Sequence, residues 1–181
     1  MIIFVPWRWE RIISFIDPWS DPWGSGYQLT LSLMSIGRGD WFGVGLGQGL
    51  MKMGYLPDAH TDFIFSVIVE EMGILGGLAI ISLLFGLSFR IFFIGRESLV
   101  RKNFFGFYFS FGVALLLGLH TFINVGVSSG LLPTKGLTLP LISGGGTSLI
   151  IVCLMIGLIL RIDYENKNSM PIPMIKRRAQ F

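Results

Sequence analysis

Residues 62–93 read DFIFSVIVEEMGILGGLAIISLLFGLSFRIFF, a single carboxylate followed by an apolar run whose only charges before Arg90 are Glu70 and Glu71. A helix needs roughly 20 predominantly apolar residues to cross a hydrocarbon core of about 30 Å, and Ile74–Phe93 supplies them without help. The run extends back to Phe63 with the two glutamates as interruptions. Further along, Phe104–Val127 and Leu137–Leu160 are long and apolar enough to do the same. The last is broken near its start by Pro140 and by Gly144, Gly145 and Gly146, so its continuous helix is expected from about Thr147. These stretches predict an all-α integral membrane fold.

Composition agrees. Of 181 residues 52% are apolar and 14% charged, with a mean hydropathy of +0.68, against about 25% charged in an average soluble domain. The 24 glycines and 16 phenylalanines suit close helix packing and lipid contact respectively. A formal charge of +3, with the basic residues at the ends of apolar runs and in the tail, argues for membrane orientation and against nucleic acid as a partner. The single cysteine, Cys153, excludes an internal disulfide and a CxxC motif and reads as a small buried hydrophobe. The opening MIIFVPWRWER lacks the apolar length and small-residue cleavage site of a signal peptide.

Charges in short loops set the expected topology. Arg90, Arg96, Arg101 and Lys102 surround the first connection, and Arg161, Lys167, Lys176, Arg177 and Arg178 follow the last helix, which makes both regions cytoplasmic by the positive-inside rule. The chain then divides into 1–12, the stub of a preceding membrane helix; 13–62, a large extracytoplasmic loop with interfacial helices; 63–95, a membrane helix; 96–103, a cytoplasmic loop; 104–127, a membrane helix; 128–143, an extracytoplasmic loop; 144–162, a membrane helix; and 163–181, a cytoplasmic tail. Asp62 falls on the outer side. The region of about Trp7 to Thr61 holds all five tryptophans, Trp7, Trp9, Trp19, Trp23 and Trp41, as the preference of indole for the headgroup level predicts. Its glycines 43, 45, 47 and 49 lack the preceding strand and following acid of a dinucleotide loop.

Several polar groups stand out against this background. Asp62 either caps a helix start or does chemistry there. Ser66 and Glu70 follow at i+4 and i+8, with Gly73 and Gly77 on roughly the same face, so the helix carries a polar and small stripe suited to protein or water. Gly73 and Gly77 form a GxxxG pair, a close-packing device. A carboxylate inside a membrane segment is costly unless paired, so Glu70 or Glu71 is expected to meet an arginine or lysine on another helix. His120 and Asn124 share a face and are expected to hydrogen-bond between helices. In GLLPTKGLTLPLISGGGTSL, Lys135 stands in a short outer loop and the glycine run leads into a helix N-terminus, where exposed amides and the helix dipole attract anions. A phosphate-bearing ligand would suit that pair, and so would an interfacial lysine beside a flexible turn.

Taken together, RIISFIDPWSDPWGSGYQL, IGRGDWFGVGLGQG, YLPDAHTDFIFSVIVEEMGILG, LLPTKGLTLPLISGGGTSL and RIDYE resemble the SEDS family (shape, elongation, division and sporulation), in the family's order and over nearly the whole chain, and the LPTKGLTLPLIS wording is closer to its cell-division branch than to its elongation branch. The resemblance implies the last three membrane helices and large outer loop of a ten-helix fold. It implies a peptidoglycan glycosyltransferase that polymerises lipid II into glycan strands at the division septum, on the outer face of the cytoplasmic membrane. The family's essential aspartate falls on Asp62 and its motif lysine on Lys135. Tyr55, Pro57, His60 and Thr61 take the surrounding motif positions, and Gly144, Gly145 and Gly146 join Lys135 as candidates for substrate binding. The expected partners are lipid II, the growing glycan strand, membrane lipids, a class B penicillin-binding transpeptidase and other divisome proteins. The sequence suggests no organic cofactor and no metal site built from protein ligands alone, though a divalent cation (Mg or Mn) bridging the substrate pyrophosphate is compatible. The family motif usually has an aromatic residue where this chain has Gly144. The alternatives are a non-enzymatic scaffold, a lipid II flippase, and an inactive or split-gene fragment.

Overall fold

The computed structural model describes residues 15–24, 26–51, 61–134 and 136–168. Among these there are four long helices and no strand: α1 (Tyr27–Gly39), α2 (Ile64–Val100), α3 (Phe104–Ser128) and α4 (Gly146–Asn168). The last three are long and apolar enough to cross a membrane, and the protein is a multi-pass integral membrane protein. The N-terminal stub (1–12) and most of the tail, 169–181, lie outside the described residues.

α1 forms where the DPWSDPWGSG turn ends. The Gly26 amide closes that turn onto the Asp21 carbonyl (3.2 Å), and the Thr30 hydroxyl reaches back to the Pro18 carbonyl (3.0 Å). The helix buries a stripe of small residues, Ser32, Ser35 and Gly39. The Ser32 hydroxyl donates to the Ser128 carbonyl at the end of α3 (2.8 Å).

α2 and α3 are joined by only three residues. Lys102 takes a left-handed conformation (φ 60°), the Asn103 amide donates to the Ser98 carbonyl (2.9 Å), and the Asn103 side chain caps α3 by accepting from the Gly106 amide (3.0 Å). The connection expected over 96–103 is therefore shorter, because α2 runs on to Val100 with Gly95 and Ser98 buried. α4 begins at Gly146, within one residue of expectation, and continues past 162 to Asn168.

The body of the bundle is apolar. Ile91 and Ile94 of α2, Val113, Ala114 and Leu117 of α3, and Val152, Ile159 and Ile162 of α4 form one buried cluster. Many other apolar side chains, including Phe89, Phe105, Phe122, Leu149 and Leu154, stay exposed, as a surface facing lipid or further protein requires. Cys153 is exposed on α4 and so is not the small buried hydrophobe expected of it. At the end of the bundle carrying the basic residues, Asp163 accepts from Lys167 (2.6 Å) and lies 3.8 Å from Arg90. Nearby, the buried Asn166 amide donates to the Ser98 hydroxyl (2.8 Å) and to the Ile94 carbonyl (3.3 Å).

The first span is not one continuous helix. Gly73 sits at φ 74°, ψ 179°, and this splits α2 into a half-helix, 64–72, and a longer part, 74–100, of roughly 40 Å at 1.5 Å per residue. The glycine loop after α1 fills the break. The Val44 and Gly45 amides donate to the freed Glu70 and Glu71 carbonyls (2.9 and 3.1 Å), while the Ile74 and Leu75 amides donate to the Asp40 and Trp41 carbonyls (2.9 and 3.4 Å). A Cβ on Gly73 would run into the Trp41 carbonyl oxygen, and one on Gly43 into the Glu71 carbonyl oxygen. Gly73 is thus the point of a break and not one member of a GxxxG packing pair. Gly77 does take side chains against it, Val69 and Phe65 of the half-helix.

Candidate functional site

Asp62 stands immediately ahead of the half-helix and is half-buried. It does not supply the helix cap: Phe63 occupies the N-cap position, with no side-chain capping bond. Asn124 of α3 and the segment 136–143, which returns from the end of α3 toward the start of α4, lie against Asp62. The Asn124 side-chain amide donates both to the Asp62 carbonyl (2.9 Å) and to the Leu137 carbonyl (2.6 Å). The Ser143 hydroxyl donates to the Thr61 carbonyl (2.6 Å) and accepts from the Leu139 amide (2.8 Å). Gly136 passes so near that a Cβ built on it would stand 3.0 Å from Asp62 Oδ2.

These bonds bring together the two motifs that the sequence separates by more than seventy residues. Thr61 and Asp62 are held against the stretch that contains Gly136 and leads to Gly144, Gly145 and Gly146. Gly144 and Gly146 are exposed, and the space where a Gly146 side chain would stand is open. The helix proper starts at Gly146, with the Gly145 carbonyl accepting from the Leu149 amide (2.9 Å). A carboxylate and the positive end of a helix dipole thus share one end of the molecule. Tyr55, Pro57, His60 and Lys135 lie outside the described residues.

Asn124 reaches this site differently from expectation. Its amide bonds main-chain carbonyls of two loops instead of another helix's side chain, and among the described residues no hydrogen bond joins His120 to a neighbouring helix. Asn124 is 1% exposed, and its Oδ1 has no hydrogen-bond partner among the described residues. With two carbonyl oxygens as neighbours, the NH₂ group must face them, so this assignment of the amide follows from the chemistry.

A little over two turns beyond Asp62, the half-helix holds a second polar group. Glu70 is fully buried (0% exposed). Its Oε2 accepts from the Ser35 hydroxyl (3.2 Å) and the Met51 amide (3.4 Å), its Oε1 accepts from the Leu50 amide (3.1 Å), and Arg38 Nη1 lies 3.8 Å from Oε1. The Ser35 hydroxyl also reaches the Ser66 carbonyl (3.1 Å). Glu71, half-buried, accepts from the Gly47 amide (3.0 Å). The cationic partner expected for Glu70 or Glu71 is therefore Arg38 of α1, in the segment IGRGD, and the sequence alone gave no reason to single it out. Ser143 and Gly136 were likewise visible only as motif positions. Among the described residues no three His, Cys, Asp or Glu side chains converge on a possible metal position.

Comparison with known proteins gives a consistent picture. The sequence profile of the family described as "Cell cycle protein" (FTSW_RODA_SPOVE) matches residues 1–168. A protein of Buchnera aphidicola subsp. Baizongia pistaciae named "Probable peptidoglycan glycosyltransferase FtsW" is 57% identical over 165 residues, 91% of this chain and 43% of its own length. The protein of the same name from Aeromonas salmonicida is 50% identical over 169 residues, 93% of this chain and 43% of its own length. Among solved structures, a chain from "Structural coordination of polymerization and crosslinking by a peptidoglycan synthase complex" superposes with a TM-score of 0.72 at 30% identity, over 92% of this chain and 44% of that one. The chain spans less than half the length of the curated relatives it matches.

Proposed function

Since the chain belongs to the FtsW/RodA/SpoVE family of cell cycle proteins, we propose that it serves as part of a membrane peptidoglycan glycosyltransferase that polymerises lipid II into glycan strands during septal wall synthesis. The observation that carries this reading is the tie between Asp62 and the 136–146 segment through Asn124, Ser143 and Gly136. It sets a half-buried carboxylate beside a glycine run at a helix N-terminus, one group suited to take a proton and the other to hold phosphate.

In the reaction, the Asp62 carboxylate accepts the proton of the C4 hydroxyl on the acceptor's terminal N-acetylglucosamine. That oxygen forms a bond to the anomeric carbon of the donor sugar, and the bond from that carbon to the undecaprenyl pyrophosphate breaks. A positioned base contributes about 10²- to 10⁴-fold. Orienting two lipid-anchored reactants and stabilising the departing pyrophosphate supply the rest, a task we assign to Lys135 and the 144–146 amides, with Tyr55, His60 and Thr61 completing the substrate contacts. A divalent cation would take its ligands chiefly from the pyrophosphate. Gly144, where the family motif usually has an aromatic residue, leaves that approach open.

The basic residues near Arg90 and Arg161 support a topology in which Asp62 faces the outer side of the cytoplasmic membrane. A class B penicillin-binding transpeptidase is the partner we propose, by analogy with the solved complex whose description couples polymerization to crosslinking.

The test is polymerisation of purified lipid II in detergent, where lipid flipping has no meaning. It should be run on the chain alone and on the chain joined to the N-terminal portion of the Buchnera relative. Asp62→Asn is expected to lower strand formation at least 100-fold with normal expression. Unimpaired polymerisation by that variant would sink the assignment.

A further inference from the structure

Gly73 poses a positional problem. Because the helix breaks there, the half-helix that follows Asp62 loses the backbone bonds that would tie Glu70 and Glu71 to Ile74 and Leu75 in the long part of α2. Something lateral must set its height and rotation.

We propose that Glu70 is the positioning residue for Asp62: a buried carboxylate that locks the half-helix to α1 and to the end of the glycine loop, and through it fixes where Asp62 stands. The proposal rests on the reading of Asp62 as the base.

The observations are independent of that reading. Glu70 has no exposed surface, and its two oxygens gather donors from two separate pieces of chain: Ser35 and Arg38 on α1, and the consecutive amides of Leu50 and Met51 in the loop. A carboxylate offers about four acceptor sites in one plane, so two neighbouring amides, a hydroxyl and a guanidinium define both its rotation and its height. Apolar packing at this position would tolerate sliding, whereas charge-assisted bonds in a low-dielectric site do not. Glu70 stands eight residues after Asp62, about 12 Å along a helix, and is enclosed. It therefore acts on the reaction only through placement. The Glu70 main chain contributes as well: its carbonyl accepts from Val44 (2.9 Å), so the same residue ties the half-helix to the loop that fills the break.

A shift of about 1 Å in a catalytic group can cost on the order of 100-fold in rate. Glu70→Ala in the active polymerase is therefore expected to lower kcat with lipid II by roughly 10- to 100-fold while KM changes less than about twofold. Glu70→Gln, which keeps the shape and one acceptor oxygen, is expected to retain several-fold more activity than Glu70→Ala, and it carries the test if the alanine variant does not fold. In parallel, hydrogen–deuterium exchange should accelerate over 44–51 and 61–69 but not over 104–117. Wild-type kcat in Glu70→Ala, a loss confined to KM, or unchanged exchange over 44–51 would each overturn the proposal. If Asp62→Asn polymerises normally, the base assignment falls by itself, and the exchange measurement still decides whether Glu70 holds the half-helix.

Discussion

The two sides of Gly73 are built from different chemistry. Beyond it, residues 74–100 are held chiefly by apolar contacts that have no direction, Ile91 and Ile94 against α3 and α4, with directional bonds only near the far end, from the Asn166 amide to Ser98 and Ile94. Before it, residues 61–72 are held by bonds that do: Asn124 on the Asp62 carbonyl, Ser143 on the Thr61 carbonyl, Ser35 and the loop amides on Glu70. Lipid is as apolar as leucine, so packing in the bilayer body yields a bundle without a strongly preferred register. Hydrogen bonds out of reach of water fix one arrangement. Such bonds are densest at the end that carries Asp62.

Substitutions on either side of Gly73 put that difference to the test. The largest effect is expected at the boundary. Gly73→Val forces a β-branched residue to φ 74° and drives its Cβ into the Trp41 carbonyl, which should cost about 3 kcal/mol or more and abolish polymerisation, measured by thermal unfolding in detergent and by strand formation. Next is Asn124→Ala, which leaves the Asp62 and Leu137 carbonyls without their shared donor. A loss of about 1–3 kcal/mol with a matching fall in kcat is expected; stability that drops with kcat intact would mean that Asn124 holds the fold and not Asp62.

In the apolar body, Ile91→Val should cost about 0.5–1.5 kcal/mol and leave turnover per folded molecule unchanged. A drop in turnover there would break the contrast outright. The smallest effect belongs to the exposed pair Arg161–Glu165 (2.9 Å), where Glu165→Gln should change stability by no more than about 0.5 kcal/mol and activity not at all.

The body of the fold is written in the sequence because hydropathy over twenty residues is a local, additive signal. The three apolar spans follow from it, whereas the connection between the first two is shorter than expected because α2 runs on to Val100. The break at Gly73 is not local: GILGG reads as a packing motif until Val44 and Gly45 are seen to take the carbonyls of Glu70 and Glu71, and nothing in either segment announces the other. The pairing of Glu70 with a cation was foreseeable from the cost of a lone carboxylate, but the choice of Arg38 was not. The meeting of Asp62 with the segment after Lys135 was legible as two polar motifs predicted on one side of the membrane. The atoms that join them, the Asn124 amide and the Ser143 hydroxyl, looked like an interhelical pair and a motif position.

The interruption at Gly73 also bears on how the chain enters the bilayer. An unbroken helix from Ile64 would be longer than the roughly 20 residues that cross the core, and any register that drew Glu70 or Glu71 inward would cost up to about 2.5–3.5 kcal/mol for a carboxylate on insertion scales. Divided as it is, the segment from Ile74 onward inserts on its own apolar merit. Glu70 and Glu71 are left to α1 and the glycine loop, whose Ser35, Arg38, Leu50 and Gly47 take up the two carboxylates at the end that carries Asp62.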